Sequence, residues 1–257
     1  MRIWYQSFID PRRHGPYFER LRRHLSAIAA SETEYEVGGV TPPDVALHRL
    51  TEFRCAAQAI DNAISAEERG FDAVLIGHFQ DSGLWEARSA AAVPVVGMGE
   101  ASMLSSLQLG RTFGLVTIDD VFEPVHREQA ERYGLTDRLA GVEAMSTPVA
   151  DLVAAFESND AYSRVLEMFE RASAPLVAAG AEVIIPAGGL FGLLSAGERD
   201  FKIGEAVVLN PIAISCKMAE AMASLRRSNG LATSRVNTYR RPPRQAIEEF
   251  QAFARGP

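Results

Sequence analysis

The chain has 257 residues, 47% of them hydrophobic and 23% charged, a composition that fits a water-soluble globular protein of one large domain or two compact lobes. A net charge of −7 argues against a nucleic-acid partner, because phosphate binding needs a basic face. The arginine pairs Arg12-Arg13, Arg22-Arg23, Arg226-Arg227 and Arg240-Arg241 lie among acids or on helical faces and read as solvated surface.

The N-terminus enters a strand pattern directly over residues 2–8, with no basic stretch followed by an apolar run, so no signal peptide is expected. A helical pattern follows at 17–30, then a strand at 35–38, a helix at 50–69 and a strand at 73–77. Next come a helix at 84–91, a strand at 93–98, a helix at 101–109, a strand at 112–117, a helix at 124–133 and a strand at 141–144. A long helix at 158–179, strands at 182–186 and 206–209 and a helix at 212–227 complete the alternation. Gly70, Gly110, Gly134 and Gly180 stand where helices should stop. Short apolar strands alternating with helices predict βαβ units and mainly parallel sheets. No run approaches the roughly 18 apolar residues of a spanning helix, so no membrane partner is expected. Cys55 and Cys216 fall inside helical patterns and read as buried thiols, which makes a cytoplasmic protein the expectation.

One segment occurs twice. Gly70-Phe-Asp-Ala-Val-Leu-Ile-Gly-His78 returns as Gly180-Ala-Glu-Val-Ile-Ile-Pro-Ala-Gly188, and each copy is followed by a second apolar strand. The repeat predicts two pseudo-symmetric α/β lobes with strand ends facing across a cleft. The expected division is residues 1–100 plus 206–227 for the first lobe and 101–205 for the second. Residues 228–257 form a C-terminal extension for packing or oligomerisation, and a homo-oligomer is expected.

The repeat puts His78 and Gly188 at equivalent strand mouths, where open α/β sheets bind ligands. His78 is the candidate general base. Asp81 and Glu100 are candidates to orient its imidazole, or to act as acids; both also suit helix capping. Gly188 and Gly189 allow backbone amides to approach a carboxylate or enolate oxygen. Gln6, Ser7, Gln80, Ser82, Thr117, Ile118 and Asn210 lie at or beside strand ends and complete the candidate substrate-binding set. The five histidines show no metal-ligand spacing, and neither a dinucleotide nor a nucleotide loop is present, so no metal and no cofactor are expected. His126, with Glu128 nearby, reads as surface.

Several segments together resemble the aspartate/glutamate/hydantoin racemase superfamily, closest to its hydantoin racemase branch. They are Asp72-Ala-Val-Leu-Ile-Gly-His-Phe-Gln-Asp-Ser-Gly-Leu, Val93-Pro-Val-Val-Gly-Met-Gly-Glu-Ala, Leu109-Gly-Arg-Thr-Phe-Gly-Leu-Val-Thr, Gly180-Ala-Glu-Val-Ile-Ile and Val208-Leu-Asn-Pro. The resemblance spans most of residues 1–227. It implies two Rossmann-like (flavodoxin-like) lobes, no cofactor and an active site between them. It also implies two catalytic cysteines, one from each half, on opposite faces of the substrate carbon. In this chain the first of those positions is His78 and the second is about Gly188, which can neither accept nor donate a proton.

The leading expectation is therefore proton transfer at a carbon next to a carbonyl of a small carboxylate, amino-acid or hydantoin-like substrate, with His78 in place of the first cysteine. A decarboxylase-type lyase, a cyclic-amide hydrolase using His78, and an inactive small-ligand-binding homologue are the alternatives.

Overall fold

The computed structural model describes residues 1–12, 14–43 and 48–256; Arg13, of the first arginine pair, lies outside them. The first half runs β1 (Arg2–Gln6), α1 (Gly15–Ile28), β2 (Glu34–Gly38), α2 (Arg49–Ile64), β3 (Ala73–Ile76), α3 (Leu84–Ala90), β4 (Val95–Gly97) and α4 (Met98–Ser106). The second runs β5 (Phe113–Thr117), α5 (Glu123–Arg132), β6 (Leu139–Ala144), α6 (Val149–Ala154), α7 (Asn159–Ala178), β7 (Val183–Pro186), α8 (Gly189–Leu194), β8 (Lys202–Ile203), β9 (Ala206–Val208) and α9 (Pro211–Asn229). A final helix, α10 (Arg244–Arg255), ends the chain.

The strands form two sheets with the orders β2-β1-β3-β4 and β6-β5-β7-β9-β8. All pairings are parallel except the short β8–β9 edge. Deleting β8 makes the two orders identical, with β1 matching β5, β2 matching β6, β3 matching β7 and β4 matching β9. This is the α/β pair of lobes that the repeat predicts.

Alternation along the strands explains why each sheet is covered on both faces. Ile3, Tyr5, Ala73 and Leu75 share one core with Phe113, Leu115, Val183 and Ile185 of the other sheet. Trp4, Val74 and Ile76 point the opposite way, into a core under α2 and α3. Val116 and Ile184 do the same under α7 in the second half. Cys55 and Cys216 are both buried in these cores.

Two readings differ from expectation. Residues 206–208 do not return to the first lobe: β9 pairs with β7 in the second sheet. Only the helix after it crosses, because α9 packs on β3 and β4 as well as on α4. His126 is fully buried rather than on the surface, packed between Phe79 and Phe122 with Nδ1 3.1 Å from the Gln129 amide oxygen.

The extension braces the first lobe. The Arg235 guanidinium donates to the carbonyls of Arg88, Ser89 and Ala91 at the end of α3, and Gln251 and Arg255 of α10 bond to Asp61 on α2. No described helix is long and apolar enough to cross a membrane.

Candidate active site

In a parallel sheet of order 2-1-3-4 the chain leaves the central strands in opposite directions, opening a crevice at their carboxyl ends. Here both crevices open onto one cleft. Ser7, Phe8 and Ile9 follow β1, Gly77, His78 and Gln80 follow β3, Ile118 follows β5, and Ala187, Gly188 and Gly189 follow β7; all line it. Tyr17, Glu52, Phe122, Val149 and Leu190 complete the walls around about 110 Å³.

The titratable side chains among the described residues of the cleft wall are His78, Glu52 and Tyr17. His78 Nε2 lies 3.0 Å from Glu52 Oε1, and the Ser82 hydroxyl donates to the same carboxylate oxygen. Phe8 stacks on the imidazole with centroids 4.2 Å apart and planes 6° from parallel, which fixes the ring plane. Burial pushes the Glu52 carboxyl upward, but the hydrogen bonds from His78 and Ser82 and the charge of His78 outweigh it, holding the group down to about 2. An ionised carboxylate only accepts, so Nε2 carries a hydrogen, and in the neutral ring the lone pair lies on Nδ1. Nδ1 makes no hydrogen bond among the described residues.

Glu52 arises from the first turn of α2, where negative charge is favoured by the helix dipole. Its depressed value carries a stability consequence with a definite sign. The stabilisation is complete above the ordinary carboxylate value of 4.5 and disappears as pH falls toward 2. A Glu52→Gln variant is expected to be less stable than wild type near neutral pH by about 1.5–3 kcal/mol, the worth of a hydrogen bond to a charged group, the gap narrowing below pH 4.5. Urea midpoints measured at pH 7, 5 and 3.5 check this; a gap that widens on acidification contradicts the pairing.

Gln80, Gly188, Gly189 and Ile118 line the cleft together with His78. The other candidates stand elsewhere. Ser82 acts from behind Glu52. Gln6 is fully buried beneath the site, accepting from Trp4 Nε1 and Asn62 Nδ2. Thr117 is also fully buried, its hydroxyl without a hydrogen bond and off the cleft wall.

Asp81 does not reach the imidazole. Its carboxylate accepts from the amides of Gly99 (3.0 Å) and Glu100 (2.7 Å), from Gln129 Nε2 (3.1 Å) and from the Tyr133 hydroxyl (2.6 Å). It thereby caps α4 and ties the His78 turn to α5. Burial raises its carboxyl to about 6 against those hydrogen bonds. A side chain at Gly99 would stand 2.1 Å from the Phe79 carbonyl, so glycine is what allows α4 to meet this turn. Glu100 turns away and pairs with Arg88 beside a separate hollow. Asn210 caps α9, accepting from the amides of Ile212 and Ala213 and donating to the Gly192 carbonyl.

Sequence reasoning missed Glu52, Phe8 and Tyr17. One signal existed for two of them: crossover helices in a parallel sheet begin at the carboxyl edge of the strands. First-turn residues of α1 and α2, Tyr17 and Glu52, therefore face the mouths. No described residue lining the cleft is a lysine or arginine, and no group of three or more His, Cys, Asp or Glu suited to a metal occurs among the described residues.

A sequence profile of the Asp/Glu/Hydantoin racemase family matches residues 16–219. The chain is 32% identical over 176 residues to a hydantoin racemase from Rhizobium meliloti, covering 68% of each chain. It is similar in structure to an allantoin racemase from Pseudomonas fluorescens, with TM-score 0.76 and 26% identity over 94% of this chain and 97% of that one. An allantoin racemase from Klebsiella pneumoniae also has TM-score 0.76, at 24% identity over 95% and 94% of the two chains. The two-lobed fold with its cleft is thus that of the racemases, and the chain belongs to the Asp/Glu/hydantoin racemase family. It is an enzyme of the isomerase type.

Proposed function

We propose that the enzyme moves a proton at the ring carbon of a neutral cyclic ureide, a 5-substituted hydantoin or an allantoin-like compound, with His78 as the base. The observation that carries this reading is the His78–Glu52 pair in a cleft that holds no described cation. A free amino acid would bring a carboxylate into that cleft next to Glu52, where no lysine or arginine among the described residues lines the wall to hold it. A neutral ring brings only carbonyls, N–H groups and an apolar substituent, which suit Phe8, Ile118, Phe122, Val149 and Leu190. The substrates named for the relatives support the same class.

The step is simple in outline. Nδ1 of His78 takes the proton from the carbon between ring carbonyl and ring nitrogen, and the electron pair moves onto the carbonyl oxygen as an enolate. Glu52 stabilises the imidazolium that forms. The first-turn amides at Gly189 and Leu190 and the Gln80 carboxamide are available to the ring's polar atoms. Return of the proton from His78 restores the starting enantiomer, while delivery from water at the Gly188 mouth inverts it, the hydroxide left behind then being neutralised by the proton that His78 gives up to solvent.

The test is to incubate single enantiomers of 5-substituted hydantoins and of free amino acids in deuterated water. Deuterium uptake is followed by mass spectrometry and configuration by optical rotation. Exchange on hydantoins and none on amino acids is expected. Exchange on amino acids alone refutes the substrate class, and a ring-opened product refutes isomerisation.

A further inference from the structure

An enolate forming in this cleft needs a partner for its oxygen, and no described cation lines the walls to supply one. Two hydroxyls among the described residues line the cleft, Ser7, which already accepts the Ile9 amide, and Tyr17. Tyr17 is 3% exposed, yet it lines the cleft. Its Oη stands 3.9 Å from the point where a Cβ on Gly189 would lie, and the Gly77 carbonyl is 3.5 Å from that same point. The hydroxyl therefore sits where the two strand mouths come together, one residue from His78 on one side and one residue from Gly188 on the other.

Two further features prepare it. The Tyr17 ring is held edge-on by Phe18 from its own helix (5.2 Å, 87°) and by Phe156 from the second half (5.8 Å, 86°), so the hydroxyl is positioned before any ligand arrives. Ser7 Oγ accepts the Ile9 amide (3.2 Å) and lies 3.5 Å from Tyr17 Oη. Either hydroxyl can donate across that gap, and with Ser7 as the donor the phenolic hydrogen is left for the cleft. Burial raises the Tyr17 hydroxyl to about 12 although its contact with Ser7 lowers it, so the group keeps its proton at working pH.

We propose that Tyr17 is a catalytic residue, the neutral hydrogen-bond donor to the enolate oxygen in the proton transfer read above. The inference rests on that reading. When the C–H bond breaks, its proton passes to His78 Nδ1 and its electron pair ends on the ring oxygen. Tyr17 shares its own proton with that oxygen without releasing it, so nothing has to be reset between turnovers. A preformed donor in a dry site binds the developing charge more strongly than the ground-state carbonyl, and the benefit falls on kcat rather than on KM.

The experiment compares deuterium exchange on a 5-substituted hydantoin by wild type, Tyr17→Phe and Tyr17→3-fluorotyrosine, with melting temperatures recorded for all three. Tyr17→Phe keeps the ring and its packing; kcat is expected to fall about 100-fold with KM within about threefold. The fluorotyrosine protein retains shape and donor and is expected to stay within about tenfold of wild type. Exchange by Tyr17→Phe within about threefold of wild type overturns the proposal, as does a loss confined to KM or a loss shared equally by the fluorotyrosine protein. If wild type itself exchanges nothing, the reading of the reaction falls and the role of Tyr17 falls with it.

Discussion

Replacing His78 by alanine is expected to lower deuterium exchange on a 5-substituted hydantoin by about 10²–10⁴-fold, the usual contribution of a positioned general base. No other described group on the cleft wall can take its place. Tyr17 holds its proton up to about 12, and Glu52, which loses with His78 the hydrogen bond and charge that hold it low, stays tied to the Ser82 hydroxyl. The loss should appear in kcat, because an imidazole bonded to Glu52 contributes mainly to the proton transfer and little to holding the ring. The variant also removes the ring stacked on Phe8 and leaves Glu52 with Ser82 as its remaining hydrogen-bond partner among the described residues. A fall in stability is therefore expected alongside, and the two effects must be separated. His78→Gln retains an amide that can donate to Glu52, so it should recover stability without recovering exchange. Recovery of exchange by His78→Gln, or a rate for His78→Ala within about tenfold of wild type, would remove His78 from the role of base.

The lobes were legible because their information is local. Each strand carries its own apolar run, and the glycines at 70, 134 and 180 stand in left-handed backbone where the chain leaves a helix. The elements that escaped notice lack such signatures. Helix α8, Gly189–Leu194, is six residues long, contains two glycines and is largely apolar, so its pattern is that of a turn entering a core. Strand β8 has two residues and exists only through its antiparallel pairing with β9. Helix α4 begins at Met98, three residues earlier than the pattern indicates. Its first amides are capped by Asp81, which lies seventeen residues earlier in the chain, and no local motif reports a cap supplied from another loop.

The site divided along the same line. His78, Gly188, Gly189, Gln80 and Ile118 follow central strands, and strand ends can be read from sequence. Asp81, Glu100 and Asn210 are polar residues at the same sheet edge, but unsatisfied backbone amides and Arg88 occupy them, and those competitors appear only in three dimensions. Glu52 was hidden for the converse reason. It is one acid in Leu50-Thr-Glu-Phe-Arg54, with nothing to distinguish it until the packing of α2 brings it against the imidazole.

Gly188→Cys is expected to raise inversion of configuration relative to deuterium exchange, by about 10²-fold if the thiol acts as a general acid. The backbone permits the change. Gly188 has φ 179°, an extended conformation open to any residue, and an added Cβ would meet only Ile118 Cγ2, at 4.0 Å. Substitution here adds no strain and removes some freedom from the unfolded chain, a gain of about 0.4–1 kcal/mol for Gly→Ala at compatible sites. In the reading proposed above, with glycine only water can deliver a proton to the face of the enolate opposite His78, while the proton held on His78 is replaced by solvent deuterium and returned to the face it came from. Exchange should then outrun inversion in wild type. A thiol at 188 gives the second face a donor fixed in place, which avoids the cost of ordering a water for each turnover. Gly188→Ala separates the chemistry from the space filled, since a methyl group excludes water and offers no proton. Its inversion rate should fall below that of wild type while exchange persists. Equal ratios of inversion to exchange in all three proteins would mean that the Gly188 mouth does not face the reacting carbon. The asymmetry between His78 and Gly188 would then belong to the fold and not to the stereochemistry of the reaction.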